Sequence, residues 1–382
     1  MDRRAAQGGL TGRSLPHGSL VFAAAGRADE PDIRRLLREN ALGGRIALSL
    51  EREPDAFAAD FGLSRSHAFI IARDRATGAA IGLCERSVRD AFVDGEVCGL
   101  PYLGALRIAP GYRHRIAVLE GGFAAVRALL DDPADLPFAL TSITADNAAA
   151  RRLLGAGLPG LPTYRPVGEL TTFALRTVAR PSAPDIEPAT TADLAAIAVL
   201  LQRVYRRYQF APVWRASDLE RLIATGALRI DDFLIVRRGP GVRACLAVWD
   251  QRATKQTVVR GYPPWLRRLR PLLNLAAPLA ALPHLPPVGA ALREAYLSHV
   301  AVEDEDVGVF RALLRSGLAQ AQRRGCALAL IGLAPTHPFA APVAQHGVIR
   351  YRTLLHLVSW PDAPMRSDAR APRLPHPEIA VM

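Results

Sequence analysis

Three consecutive segments stand out in the N-terminal half. They are an apolar segment, a short turn, and a second apolar segment with a different periodicity. Residues 102–108 are mostly apolar and lie between Pro101 and an Ala-Pro-Gly turn at 109–111, which predicts a buried strand. Pro101 and Gly104 predict an interruption in that strand, because proline lacks a ladder donor and glycine often marks a bulge. From residue 116 the apolar positions recur in steps of three and four, which predicts a helix running to about residue 130 with one buried face.

The start of this helix is a candidate anion site. Its free N–H groups and its dipole favour a negative group such as a pyrophosphate. Arg113, His114 and Arg115 add positive charge there, which the dipole alone disfavours, so a bound anion would explain them; a solvated basic turn is the alternative. Gly121 and Gly122 lie inside the helix, and we expect them to mark its contact with a sheet.

The pattern of apolar residues in the rest of the chain predicts helices and strands before and after this strand, turn and helix. In the N-terminal half these are a helix (29–38), a hairpin (68–73 and 79–84) and later strands (138–144 and 170–177). A similar series begins again at residue 185, with helices at 191–208 and 309–323 and strands at 233–237, 244–249, 296–302, 326–333 and 354–360.

A length of 382 residues predicts two domains. We expect domains at 18–178 and 185–361, joined by a linker at 179–184. Residues 1–17 are predicted to be a disordered leader, and residues 362–382 a disordered proline-rich tail.

The net charge of +12 does not have the distribution expected of a nucleic-acid groove. Lys255 is the one lysine, and the arginines are scattered with no basic run interleaved with aromatic residues. The diffuse positive charge would instead attract acidic partners, such as the phosphates of coenzyme A (CoA) or an acidic acyl-carrier protein.

The four cysteines are widely spaced and form no metal-binding pattern, so we expect reduced thiols, no metal and a cytoplasmic protein. No secretion signal is apparent. Residues 271–292 are the most apolar region but are too often interrupted by proline to cross a membrane as a helix. The longer insertion, residues 263–292, predicts a covering lid, or else a surface for an acyl chain or lipid.

The strand, the Pro-Gly-Tyr-Arg turn (110–113) and the helix resemble the acyl-CoA-binding segment of the GNAT superfamily of N-acyltransferases. Residues 146–158, which begin Asp-Asn-Ala-Ala-Ala, resemble that family's next motif. The resemblance implies an α/β (α+β) fold of two tandem GNAT-like domains, each a mixed, mostly antiparallel sheet flanked by helices. The second domain is more divergent, because acidic residues (303–306) stand where the phosphate-binding turn would be.

The resemblance also implies acetyl-CoA or another acyl-CoA as a substrate. Carried onto this chain, it places the pantetheine arm along Leu106, Arg107 and Ile108. Asn147 would lie near the pantetheine amide, although an asparagine at this position also suits a helix cap. The pyrophosphate would lie against the turn and first helical residues, which are Arg113, His114, Arg115, Ile116, Ala117 and Val118.

Several positions depart from the family's pattern. Ile116 and Val118 replace small residues of the phosphate turn and are expected to crowd it. Leu154 stands where many members have a tyrosine that protonates the leaving thiolate. Tyr164 and Tyr102 are candidate substitutes, or else buried tyrosines with a structural hydrogen bond.

Glu96 is the candidate base, with a solvated turn carboxylate as its alternative. The sequence thus predicts an N-acyltransferase, of acetyl groups first, acting on an amine of a small molecule or peptide. The alternatives are a catalytically inactive acyl-CoA sensor or scaffold, and an acyltransferase that uses a long-chain acyl-carrier protein.

Overall fold

The computed structural model describes residues 14–44, 46–130, 132–179, 183–239, 241–277, 284–346, 349–362 and 373–382. The N-terminal half contains strands β1 (Ser14–His17), β2 (Leu20–Ala24), β3 (Ala47–Glu51), β4 (Ser66–Asp74), β5 (Ala80–Val93), β6 (Glu96–Ile108), β7 (Phe138–Thr144) and β8 (Thr163–Arg176). Its helices are α1 (Glu30–Glu39), α2 (Ile116–Leu130) and α3 (Ala148–Leu154).

The C-terminal half has a similar but not identical order of elements. Its strands are β9 (Glu187–Pro188), β10 (Ala211–Pro212), β11 (Phe233–Arg238), β12 (Gly241–Trp249), β13 (Gln256–Gly261), β14 (Glu294–Val302), β15 (Leu328–Leu333) and β16 (Ile349–Ser359). Its helices are α4 (Leu194–Tyr205), α5 (Ala216–Ala224), α6 (Pro264–Ala276), α7 (Val307–Arg323) and α8 (Ala340–Ala344).

One mixed, mostly antiparallel sheet runs through both halves. Its strand order is β1-β2-β4-β5-β6-β7-β16-β8-β15-β14-β12-β11-β9, and β10 pairs with β5. Only two pairs within this order are parallel, β6 with β7 and β14 with β15. The predicted fold class is therefore confirmed, with helices flanking a large mixed sheet.

The two halves exchange strands. β16, the last strand of the chain, lies between β7 and β8, and β8 pairs with β15 of the C-terminal half. The burial pattern explains the exchange. Phe173 and Leu175 of β8 pack in the core beneath α7, whereas Val358 of β16 packs in the core beneath α2. The two halves are therefore not the separate sheets that the sequence predicts.

Both predicted disordered ends are wrong where the structure describes them. Residues 14–17 form β1, which pairs with β2 through a turn at Gly18. In the C-terminal segment, defined here as residues 373–382, His376, Glu378 and Ala380 are buried against the C-terminal half. Residues 1–13, 180–182 and 363–372 of the predicted leader, linker and tail lie outside the described residues.

Helix α2 contacts the sheet where its sequence predicts. Val118, Leu119 and Phe123 are buried on its inner face. A Cβ atom added to Gly121 would lie 2.2 Å from Cε2 of Phe22 in β2, so this glycine permits close helix–sheet packing. Gly122 has more room, since Phe22 lies 3.8 Å from its added Cβ.

Candidate functional site

The strands β6 and β7 separate in the middle of the N-terminal half. They are paired only at Tyr102–Leu140 and Leu103–Thr141. The next residues of β6 are irregular, because Ala105 has φ +50° and the register with β5 shifts between Leu83 and Glu85. Beyond this bulge, the edge of β6 that faces β7 carries no ladder in the described residues. The carbonyl oxygens of Leu106 and Ile108 accept hydrogen bonds from the Arg107 and Arg113 side chains (3.0 Å each), which an extended ligand would have to displace to pair with them.

The first turn of α2 lies beside this gap. The N–H groups of Ile116 and Ala117 have no acceptor within the helix, as at any helix start. Arg113 holds the preceding turn in place, since its Nε donates to the carbonyl oxygen of Ile108 (3.0 Å) and its Nη2 donates to Oδ1 of Asn40 (2.9 Å). The guanidinium of Arg115 lies over the Tyr112 ring, 4.7 Å from its centre.

The sequence predicts that Ile116 and Val118 crowd this turn, and the two side chains differ in the structure. Val118 is buried in the core under α2, so its side chain points away from the turn and that part of the prediction is wrong. Ile116 and Leu106 are exposed and present apolar surface beside the gap. His114 is exposed as well.

Asn147 has the structural role that the sequence left open. Its Oδ1 accepts a hydrogen bond from the Ala150 N–H (3.1 Å) and caps α3. Leu154, in place of the family's tyrosine, is buried in the core under α2.

The two candidate tyrosines lie in different surroundings. Tyr102 and Ser142 share a hydrogen bond between their hydroxyls (2.7 Å) that spans β6 and β7 where they separate, and burial raises the pKa of Tyr102 to about 12. Tyr164 packs edge-on against Phe123, and burial and the nearby Cys84 thiol raise the pKa of its hydroxyl. Both phenols therefore hold their protons at neutral pH, as a proton donor must.

Glu96 is not placed to act as the base. It begins β6, seven residues before Leu103, which is about 23 Å along an extended strand. Its carboxylate is exposed and lies 3.3 Å from Arg206. The exposed position of Glu96 matches the alternative interpretation, a solvated carboxylate in a turn.

A buried charged cluster next to the bulge was missed by the sequence reasoning. Glu85 accepts hydrogen bonds from both Nη atoms of Arg52, one of 2.7 Å, and lies 2.6 Å from Nε2 of His67. Burial opposes ionisation of Glu85, but Arg52 and His67 outweigh it and hold its pKa well below the usual range. Its Oε2 lies 3.7 Å from a Cβ built on Gly104, so the cluster lies over the bulge.

The sequence contained a signal for this cluster. Glu85, Ser87 and Arg89 are two residues apart along β5, so they share one face of a mostly buried strand. Arg107 lies near the same cluster; burial and the charge of Arg52 lower its pKa to about 10.

Lys255 reaches this region from the C-terminal half. The turn before β13 is held against the N-terminal half by Gln256, whose amide bonds the N–H and the carbonyl oxygen of Glu53. The Lys255 ammonium lies 5.5 Å from the centre of the Phe61 ring and makes no hydrogen bond or ion pair to the described residues. Burial, together with Arg52 and Arg89, lowers the pKa of Lys255 to about 7.

A cavity of about 50 Å³ lies beside Tyr102, between the sheet and the C-terminal half. Its floor is the face of β5, β6 and β7, and its roof is β10 and the C-terminal segment. Nη1 of Arg89, on the floor, is buried and has no hydrogen-bond partner among the described residues. The lining residues include Ser87, Arg89, Leu100, Tyr102 and Leu140 below, and Phe210, Pro212, Pro377, Glu378 and Met382 above.

The equivalent gap in the C-terminal half is filled by the chain itself. β14 and β15 are paired only from Glu294 to Tyr296, and His299 has φ +52° as Ala105 does in β6. Here the His299 N–H donates to Oε1 of Glu378 (2.6 Å), and Ile379 packs so tightly on Gly332 that an added Cβ would lie 2.4 Å away. The C-terminal segment thus occupies the position that a ligand would take in the N-terminal half.

The acidic turn of the C-terminal half also has a structural explanation. Oδ1 of Asp306 accepts hydrogen bonds from the N–H groups of Gly308 (2.9 Å) and Val309 (3.1 Å), so it caps α7. A carboxylate therefore takes the N–H groups that an anionic ligand would need.

Comparison with solved structures identifies the fold. Saccharomyces cerevisiae N-myristoyltransferase with bound myristoyl-CoA superposes with a TM-score of 0.60 at 11% identity, over 91% of this chain and 85% of that one. A GCN5-related glucosamine N-acetyltransferase region of a fungal GH3 β-N-acetylglucosaminidase gives 0.57 at 12% identity, over 90% and 38%. A GCN5-related N-acetyltransferase from Sphaerobacter thermophilus gives 0.52 at 16% identity, over 90% and 96%.

The chain therefore has a tandem GNAT fold. Its two-lobed arrangement is consistent with that of N-myristoyltransferase. No protein-family model matches the sequence, and no curated protein matches it either.

Proposed function

We propose that this protein is an acyl-CoA-dependent N-acyltransferase with its active site in the N-terminal half. The observation that carries the proposal is the gap between β6 and β7, which opens at the bulge beside the start of α2. Two solved structures with this fold are described as N-acetyltransferases, and a third as an N-myristoyltransferase that holds myristoyl-CoA. Acetyl-CoA is the first donor to test, followed by longer acyl chains.

The pantetheine arm would lie along the edge of β6 that carries no ladder, at Leu106–Ile108, and the pyrophosphate would lie at the start of α2. The amine would enter the cavity beside Tyr102. Its lone pair attacks the thioester carbonyl carbon, the carbon–sulfur bond breaks, and the thiolate takes a proton from Tyr102 or Tyr164. The position of Tyr102, where β6 and β7 separate, supports this role for it, whereas Tyr164 packs against Phe123 under α2.

Lys255 is the proposed acceptor of the proton that the amine loses. Of the 48 Lys and Arg residues in the chain, 47 are arginine, so the single lysine stands out at a site among charged groups of the N-terminal half. Arginine cannot release its proton near neutral pH, whereas a buried lysine can act as a base. Glu85 is a weak base by comparison, because its ion pairs lower its pKa.

The lone lysine can be titrated directly. Protein labelled with ¹³C at lysine Cε should give one lysine resonance, and we expect it to titrate near pH 7. Lys255→Arg keeps the positive charge but cannot accept a proton, so acyl transfer at neutral pH should fall at least tenfold, while the acyl-CoA-dependent rise in melting temperature stays unchanged. A titration midpoint near pH 10.4, the value for free lysine, would remove Lys255 from this role.

Binding of the acyl donor can be tested without knowing the acceptor. A ligand that binds only the folded state raises the melting temperature once its concentration exceeds its Kd. We expect a rise with acetyl-CoA or a longer acyl-CoA, and Arg113→Glu should reduce it, because the new carboxylate repels the phosphates and the bonds to Ile108 and Asn40 are lost.

The matched control is Arg311→Glu, the same charge change on an exposed position of α7. It should leave the thermal shift unchanged. Equal shifts for the wild type and Arg113→Glu would contradict the proposed pyrophosphate site.

A non-catalytic acyl-CoA sensor is the second candidate, favoured by the buried Leu154 at the family's tyrosine position. It predicts thermal shifts with acyl-CoA and no release of free CoA thiol with any amine. Release of thiol that depends on an added amine would exclude it.

A further inference from the structure

Helix α6 carries two apolar faces, of which only one is used inside the protein. Leu266 is buried against the fold. Trp265, Leu269 and Leu272 lie at steps of four and three residues, which places them on one stripe of the helix surface. They are 61%, 45% and 65% exposed, and Leu275 one turn further on is 79% exposed.

All the charged residues of α6 are arginines. Arg267 and Arg268 are exposed on the same helix, and Arg270 is half-buried. The sequence from 251 to 293 contains no aspartate or glutamate, although it contains seven Lys and Arg residues. An exposed stripe of tryptophan and leucine with an arginine beside it, here Arg268, is typical of helices that lie in the interface of a membrane.

The alternatives inside the molecule fit less well. A covering lid, which the sequence predicts for this segment, would bury its apolar side chains, whereas α6 leaves four large ones exposed. The described residues include no helix long and apolar enough to cross a membrane. An acidic protein surface would complement the arginines but would not require four exposed apolar side chains in a row.

From these observations we propose that α6 docks on the surface of a bilayer that contains anionic lipids. The helix lies parallel to the membrane, with Trp265, Leu269 and Leu272 at the boundary between headgroups and acyl chains. Arg268, which lies on the same side of the helix as Leu272 and Leu275, pairs with lipid phosphates. The inference goes beyond the proposed acyl transfer and does not depend on it.

Co-sedimentation of the full chain with vesicles tests the proposal. The probes are vesicles of phosphatidylcholine alone and of phosphatidylcholine with phosphatidylglycerol in a 3:1 ratio. We expect binding to the anionic vesicles, at least tenfold weaker binding to the neutral ones, and weakening with salt as exposed charges are screened. Leu272→Glu should reduce binding to anionic vesicles at least tenfold, because it places a carboxylate in the apolar stripe.

The matched control is Val199→Glu, which adds the same charge at a position of α4 that is 64% exposed. It should bind as the wild type does. Absence of vesicle binding by the wild type, or equal binding by Leu272→Glu, would overturn the proposal. A dimer in solution that Leu272→Glu converts to a monomer would also overturn it and would assign this face to a second copy of the chain.

Discussion

Replacing Glu85 by alanine should cost about 3–5 kcal/mol of unfolding free energy at pH 7. The change leaves the Arg52 guanidinium buried without its carboxylate partner, next to His67. A buried charge that loses its partner keeps its desolvation cost, and this explains why the loss exceeds that of an exposed ion pair. Urea unfolding of the wild type and the variant measures the difference.

Two further variants separate charge from shape at this site. Glu85→Gln retains an oxygen that can accept a hydrogen bond but loses the charge, so its loss should be intermediate. Glu96→Ala removes an exposed carboxylate from the same sheet and should change stability by less than about 0.5 kcal/mol. Equal losses for Glu85→Ala and Glu96→Ala would show that the buried cluster contributes nothing to folding.

The loss of folding stability at acidic pH should also depend on Glu85. Its folded-state pKa lies below the ordinary value of 4.5, so the stabilisation is fully present above that value. It is then lost as the pH falls through the folded-state pKa. Glu85→Gln should therefore unfold less steeply with acid than the wild type.

Replacing Glu294 by glutamine should stabilise the protein in alkaline solution. Burial raises the pKa of this carboxyl in β14 to about 7, although the hydrogen bond from Thr257 Oγ1 (2.5 Å) acts to lower it. The unfolded chain loses this proton near pH 4.5 and the folded chain near pH 7. The contribution of Glu294 to folding stability therefore falls as the pH rises between these values, and it is constant above them. Glutamine can still accept the Thr257 bond and does not have to ionise.

The expected gain for Glu294→Gln is about 3 kcal/mol at pH 8, falling below about 1 kcal/mol at pH 5. Chemical denaturation at both pH values gives the comparison. The control is Glu220→Gln at an exposed position of α5, which should change neither value. A gain of equal size at both pH values would contradict a raised pKa at Glu294.

The elements that depend on local pattern could be predicted from the sequence. Helix α2 follows from the spacing of its apolar residues and begins at Ile116 as predicted. The gap beside it follows from Gly104 and from the turn residues after Ile108, because these signals are contained in one short segment. The roles assigned to the residues around the gap stay predictions.

The partners of the strands could not be predicted in the same way. The pattern of β16 indicates a strand with a buried face, but it does not say whether that strand pairs with β7 or with β15. The C-terminal segment was missed for a related reason. Its prolines suggest disorder, whereas Glu378 and Ile379 are held by residues distant in sequence.

Glu96 shows why proximity in sequence misleads within a long strand. It lies just before the apolar run, yet thirteen residues of extended strand β6 separate its two ends by roughly 40 Å. Lys255 is 150 residues away from Ala105 in sequence and reaches the same region only through the contacts between the halves.

The strand exchange determines when this protein can fold during its synthesis. A ribosome that has completed β7 and β8 has made two strands whose shared neighbour, β16, begins about 170 codons further on. Until β16 emerges, the nascent chain exposes two open strand edges, which are sites for pairing with other chains. Folding must therefore wait for one of the last segments to be translated, and we expect a premature stop before residue 349 to yield a chain that chaperones retain and proteases remove.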